Sequence, residues 1–120
     1  MGVWTMTVKI YHNPRCGKSR QTLQLLQQQG LQIEIIEYLK TPPTAEALNT
    51  ILDQLGLEPR ELMRKKEPAY KENDLANPAL DRETLISAMI NHPILIERPI
   101  VVNGEKAALG RPPEAVLSIL

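Results

Sequence analysis

Two strand-like segments on either side of a single helical one, all within the first 38 residues, restrict the possible folds more than any other feature of this sequence. Thr7-Val8-Lys9-Ile10-Tyr11 alternates polar and apolar side chains with β-branched content, the period-two pattern of a half-buried strand. His12-Asn13-Pro14-Arg15 breaks that pattern. From about Gly17 to Gln29 the spacing becomes helical, with Leu23 and Leu26 on one face and Gly30 placed as a C-terminal stop. Gln32-Ile33-Glu34-Ile35-Ile36-Glu37-Tyr38 then reads as a second strand. A connection that contains a helix brings the chain back to the same end of the sheet, so the two strands are expected to run parallel as a βαβ unit.

The remainder divides at its prolines. Thr41-Pro42-Pro43 is a rigid break, after which Thr44 is placed to cap a helix carrying Leu48, Ile51, Leu52 and Leu55, with Gly56 as its stop. Residues 58–91 read as short helices separated by Pro59, Pro68, Pro78 and Pro93, the best of them capped by Asp81 and burying Leu85, Ile86, Met89 and Ile90. Ile100-Val101-Val102 reads as a strand and Asn103-Gly104 as a type I′ turn, from which Lys106-Ala107-Ala108-Leu109 returns antiparallel. Pro112 suits the first position of a last helix carrying Val116, Leu117 and Leu120. The expected class is α/β: a thioredoxin-like order (βαβ, helical insertion, ββα) with a four-stranded mixed sheet. Its expected boundaries are a loose leader over residues 1–5, one domain over 6–120, and the insertion over about 42–93.

Composition narrows the function. Fourteen basic residues balance fourteen acidic ones, so no overall field draws the chain toward nucleic acid or a membrane surface, and any anion site has to be local. One Trp, three Tyr and no Phe leave little for base stacking. Neither a signal peptide nor a long apolar span is evident, and a cytoplasmic monomer is expected. With one cysteine and two histidines, the chain can form no internal disulfide, no Cys-x-x-Cys dithiol and no ordinary Cys/His zinc site, so redox work requires a second thiol from another molecule.

That cysteine, Cys16, falls where the first strand gives way to its helix. Unpaired backbone N–H groups and the helix dipole favour a thiolate there. Its neighbours are polar or basic: His12, Arg15, Lys18 and Arg20 lie within four residues, Ser19 offers a hydrogen bond, and Gly17 permits close approach of an anion to the backbone. A buried structural cysteine would have apolar neighbours, which this one lacks. Two imitations fail on spacing. Gly17-Lys18-Ser19 resembles the end of a nucleotide P-loop, but His12 stands where that motif needs Gly. A tyrosine-phosphatase loop needs Arg six residues after its cysteine, and Thr22 stands there.

The block His12-Asn13-Pro14-Arg15-Cys16-Gly17-Lys18-Ser19-Arg20 resembles the His-Asn-Pro-x-Cys-Gly-x-Ser-Arg motif of the glutaredoxin-dependent arsenate reductases, the ArsC family. Leu62-Met63-Arg64-Lys65, the segment from Ile94 to Val102, and Gly110-Arg111-Pro112-Pro113-Glu114 resemble further family blocks in family order, most closely those of the short, YfgD-like members. The resemblance implies arsenate or a similar small oxyanion as substrate, glutathione as thiol co-substrate with no bound cofactor, and glutaredoxin as recycling partner. It implies Cys16 as the nucleophile, His12 and Ser19 as groups that tune its thiolate, and Arg64, Arg98 and Arg111, with the Gly17 backbone, as the oxyanion site. It also implies a cis bond at Arg98-Pro99. Longer members carry a tail beyond the last helix, whereas this sequence stops at Leu120. Two alternatives stay open: a glutathione-linked thiol–disulfide oxidoreductase of the same fold, and a non-catalytic transcription regulator. Regulators of that kind carry a Cys-x-x-Cys switch, and Ser19 occupies the second position here.

Overall fold

The structure, a computed structural model, describes residues 7–120, so the leader expected at residues 1–5 lies outside the described residues. It divides into two compact units, the first running to Tyr38 and resuming at Arg98, the second spanning Leu39–Glu97.

The first unit holds the sheet. Strand β1 (Thr7–Tyr11) leads through helix α1 (Gly17–Gln28) to β2 (Gln32–Ile36). As the βαβ argument requires, β1 and β2 are parallel, in register from Thr7 opposite Gln32 to Tyr11 opposite Ile36. Strand β3 (Ile100–Asn103) runs antiparallel to β1 with Ile10 opposite Val101, and β4 (Lys106–Leu109) pairs antiparallel with β3. The order β2-β1-β3-β4 gives a four-stranded mixed sheet of the thioredoxin-like type. The alternation in β1 sends Val8 and Ile10 to one face, where they meet Leu26 of α1, Val101 of β3 and Val116 to form the core of this unit.

Two local readings are corrected. The hairpin closes on the pair Asn103–Lys106, so its central residues are Gly104-Glu105 rather than Asn103-Gly104. Gly104 has φ 62° and Glu105 is not in the left-handed region, which is the pattern of a II′ turn with Gly in first place and not of I′. Asn103 stays in the strand, and its side-chain amide donates to the Ile119 carbonyl at 2.7 Å. The last helix is a 3-10 helix over Pro113–Ile119, which Pro112 precedes instead of opening. With three residues per turn, Val116 and Ile119 share the inward face, so Leu117 and Leu120 stay exposed.

The second unit is helical. Helix α2 (Ala45–Leu55) is capped by Thr44, whose hydroxyl accepts from the Ala47 N–H at 3.1 Å, and it ends at Gly56 in the left-handed region. A 3-10 turn (Pro59–Leu62), a short α3 (Pro68–Glu72), α4 (Arg82–Asn91) and a second 3-10 turn (Pro93–Leu95) follow. Leu48, Ile51 and Leu52 of α2 and Leu85, Ile86 and Met89 of α4 are buried, while Leu55 and Ile90 are only partly so. One feature is absent from the pattern of short helices. Residues 62–64 and 95–97 pair as extended chain, through the Arg64 N–H to the Leu95 carbonyl (2.7 Å) and the Glu97 N–H to the Leu62 carbonyl (2.8 Å). Thr44→Ala should lower stability by about 1 kcal/mol, the usual worth of such a cap, read as a lower denaturant midpoint at unchanged slope.

Candidate active site

The end of β1 builds the site from the backbone outward. The His12 N–H donates to the Ile36 carbonyl at 2.8 Å, extending the β1–β2 pairing by one residue and burying the imidazole. Pro14 has no N–H and Asn13 folds over it: the Asn13 side-chain oxygen accepts from the Arg15 N–H, and its carbonyl accepts from the Cys16 N–H, both at 3.0 Å. Arg20 reaches back from α1 and donates to the Pro14 carbonyl at 2.9 Å, which holds the outside of the turn. Cys16 is then the N-cap of α1, with extended backbone (φ −95°, ψ 123°), and its carbonyl accepts the first helical hydrogen bond from Arg20.

The surroundings of the Cys16 sulfur compete, and the anion-stabilising side prevails. Partial burial pushes the thiol pKa up. The Ser19 N–H, the positive charge of Arg98, the Lys18 N–H and a hydrogen bond from the Arg98 side chain push it down, and the result lies below the ordinary cysteine value. Lys18 and Ser19 are the second and third residues of α1, so these are the orphan N–H groups of a helix start. They face the sulfur without closing a capping hydrogen bond, and remain available to an anion. Gly17, the first helical residue, is exposed beside them.

His12 and Ser19 meet one layer deeper. The His12 Nδ1 lies 2.6 Å from the Ser19 hydroxyl oxygen, which also accepts from the Asn13 N–H at 3.0 Å. Burial holds the imidazole pKa below its usual value; Glu37 opposes this and Arg20 adds to it, so the ring is neutral near pH 7. His12 therefore joins the turn through Ser19. The buried serine joins the imidazole to the turn by its hydroxyl and faces the thiol with its N–H.

The structure also brings Arg98 and Arg111 together. Each precedes a cis proline, Pro99 and Pro112, of which the sequence resemblance implied only the first. Arg111 makes a long contact of 3.5 Å from Nη1 to the Arg98 carbonyl, and the Gly110 N–H donates to the Pro99 carbonyl at 3.0 Å. Cys16, Gly17, Ser19, His12, Arg98 and Arg111 all belong to the first unit, whose seven basic and four acidic side chains make it locally positive in a chain of zero net charge. Arg64 belongs to the second unit, where Nη1 pairs with Glu67 at 2.9 Å and Nε lies 3.7 Å from Glu97. Thr22 and Gly110 are also buried in the first unit. Sequence reading used Thr22 only to exclude a phosphatase loop and assigned Gly110 no role. Among the described residues no group of three or more His, Cys, Asp or Glu side chains could hold a metal ion, and no helix is long and apolar enough to cross a membrane.

Comparison with known proteins agrees with this geometry. The ArsC family profile matches residues 11–119, from the last residue of β1 to the end of the chain's final helix. The chain is 55% identical over 117 residues to the protein YfgD of Escherichia coli (strain K12), covering 97% of this chain and 98% of YfgD. It is 48% identical over 114 residues to an arsenate reductase of Neisseria meningitidis (strain MC58), covering 94% and 97%. Among solved structures, an arsenate reductase from Vibrio cholerae superposes with a TM-score of 0.93 at 53% identity, covering 97% of this chain and 99% of its own. The match includes the thiol turn and both arginine-bearing turns in one alignment, and on that extent this protein belongs to the ArsC family.

Proposed function

We propose that this protein reduces arsenate to arsenite, with Cys16 as the attacking thiolate, glutathione as the second thiol and glutaredoxin as the recycling partner. The observation that carries this reading is the lowered pKa of Cys16, held by the Ser19 and Lys18 N–H groups and Arg98, in a chain so similar to proteins named arsenate reductase. Arsenate is a tetrahedral dianion near neutral pH. A forked guanidinium and free helix N–H groups suit such an anion, and Arg98 and α1 offer both beside the sulfur.

The chemistry follows from the cysteine count. The Cys16 sulfur forms a bond to arsenic and one arsenate oxygen leaves as water, its protons supplied by solvent at the exposed turn. Glutathione adds its thiolate to the adduct. Arsenic takes up two electrons, one from each sulfur, and departs as arsenite, leaving a mixed disulfide between Cys16 and glutathione. No other cysteine in the chain can open that disulfide, so a thiol from another molecule has to, and glutaredoxin takes this role by attacking the glutathione sulfur and returning Cys16 as thiolate. His12 and Ser19 keep the turn in the conformation that presents the sulfur to the helix start.

The test is NADPH oxidation coupled through glutathione reductase, glutathione and glutaredoxin, with and without arsenate. Arsenate-dependent oxidation is expected. Oxidation that ignores arsenate, together with reduction of a glutathionylated peptide, would instead assign the thiol–disulfide oxidoreductase activity.

A further inference from the structure

Thr22 is a polar residue with no solvent exposure, one and a half turns into α1, and nothing in the chemistry above uses it. Its hydroxyl donates to the Lys18 carbonyl at 2.8 Å, which locks the rotamer of a side chain already stiff at its branch point. The other side of Thr22 faces Gly110. A Cβ built on Gly110 would stand 2.5 Å from the Thr22 Oγ1, 3.0 Å from its Cγ2 and 2.7 Å from the Pro99 Cγ. The backbone of Gly110 is not in the left-handed region, so the demand for glycine here is one of space alone. Neither neighbour can yield cheaply: one is a bonded, β-branched side chain in a helix and the other a proline ring.

Three segments therefore meet at one contact: α1, the turn that carries Arg98, and the turn that carries Arg111. Pro99 follows Arg98, Gly110 precedes Arg111, and the two are tied by the Gly110 N–H to the Pro99 carbonyl at 3.0 Å. On the helix side, Thr22 grips Lys18, whose own N–H faces the Cys16 sulfur. We propose that Thr22 and Gly110 form a spacing contact that sets the distance between the Cys16 sulfur on α1 and the arginines of the two proline turns. Both are positioning residues, acting through Lys18 on one side and Arg98 on the other. The proposal deepens the reading of Cys16 as the attacking thiol and rests on it.

The readout is the pH dependence of iodoacetamide alkylation at Cys16, the only cysteine in the chain, with thermal melts to establish folding. Gly110→Ala pushes α1 away from the Arg98 turn and should raise the alkylation midpoint by about half a pH unit, lowering the thiolate fraction at neutral pH roughly threefold. Thr22→Ala removes both atoms that seat the glycine and adds no bulk; its midpoint should also rise. Thr22→Val keeps the shape of the contact with Gly110 and loses only the bond to the Lys18 carbonyl, so its midpoint should rise less than that of Thr22→Ala; an equal rise would assign the effect to the hydroxyl alone and overturn the spacing role. A folded Gly110→Ala protein with an unshifted midpoint overturns the proposal; if that variant does not fold, an unshifted midpoint in Thr22→Ala overturns it equally. Alkylation requires no arsenate, so a failure of arsenate turnover in the unaltered protein would sink the proposed function without altering this outcome.

Discussion

Cys16→Ser should reduce arsenate-dependent NADPH oxidation to the level without enzyme while leaving the fold intact. A serine hydroxyl does not ionise near neutral pH and cannot donate the electron that a sulfur contributes to the mixed disulfide, so both bond formation and reduction are lost together. The fold should not suffer. Cys16 is partly exposed and stands at the N-cap of α1, a position at which serine is among the preferred residues. The variant should therefore melt at or slightly above the temperature of the unaltered protein. A serine variant that retains arsenate-dependent turnover would show that the thiol is not the attacking group, and the melting curve ensures that a loss of activity is not a loss of structure.

Arg98 should show the second largest effect, and two substitutions separate its roles. Arg98→Met removes the charge and the hydrogen bond that lower the Cys16 pKa. The direction is fixed by the acid involved: a thiol loses its stabilised anion, its pKa rises, and the alkylation midpoint moves up toward that of a free cysteine. In the arsenate assay the same change removes the charged donor proposed for the substrate, a bond of a kind worth about 1.5–3 kcal/mol, so kcat/KM should fall roughly 10- to 150-fold. Arg98→Lys keeps a charge near the sulfur without the planar fork. Its alkylation midpoint should stay near that of the unaltered protein while arsenate KM rises. An Arg98→Met protein with an unchanged midpoint would remove the guanidinium from the account of the thiolate.

The parts of this site that lie close in sequence were legible from it. Asn13-Pro14 breaks the strand, Cys16 then has to sit at a helix start, and the N–H groups that face the sulfur belong to residues two and three positions later. Local backbone rules are enough for that. His12 was the exception among near neighbours. Four residues before the sulfur, its spacing suits either an ordinary turn residue or a partner of the thiol, and the structure buries the ring with Nδ1 on the Ser19 hydroxyl. That orientation depends on the β1–β2 ladder running one residue further, to His12 and Ile36, an extent that the strand alternation does not display. The hairpin misreading has a similar origin. Asn103-Gly104 is a strong local turn signal, yet Asn103 stays in β3 with its amide bonded to the Ile119 carbonyl sixteen residues away.

Short-range signals in the chain were enough for the βαβ start, the parallel strands, the helical caps at Thr44 and Asp81, and a solitary thiol that cannot complete a redox cycle alone. Each follows from a periodicity of a few residues, a capping preference or a count. Tertiary structure decided what surrounds that thiol. Arg98 comes within reach of the sulfur because β3 pairs beside β1, and Gly110 is required because α1 leaves no room between Thr22 and Pro99 for a methyl group. These are contacts between segments some eighty residues apart in the chain, where packing sets distances that no local preference encodes.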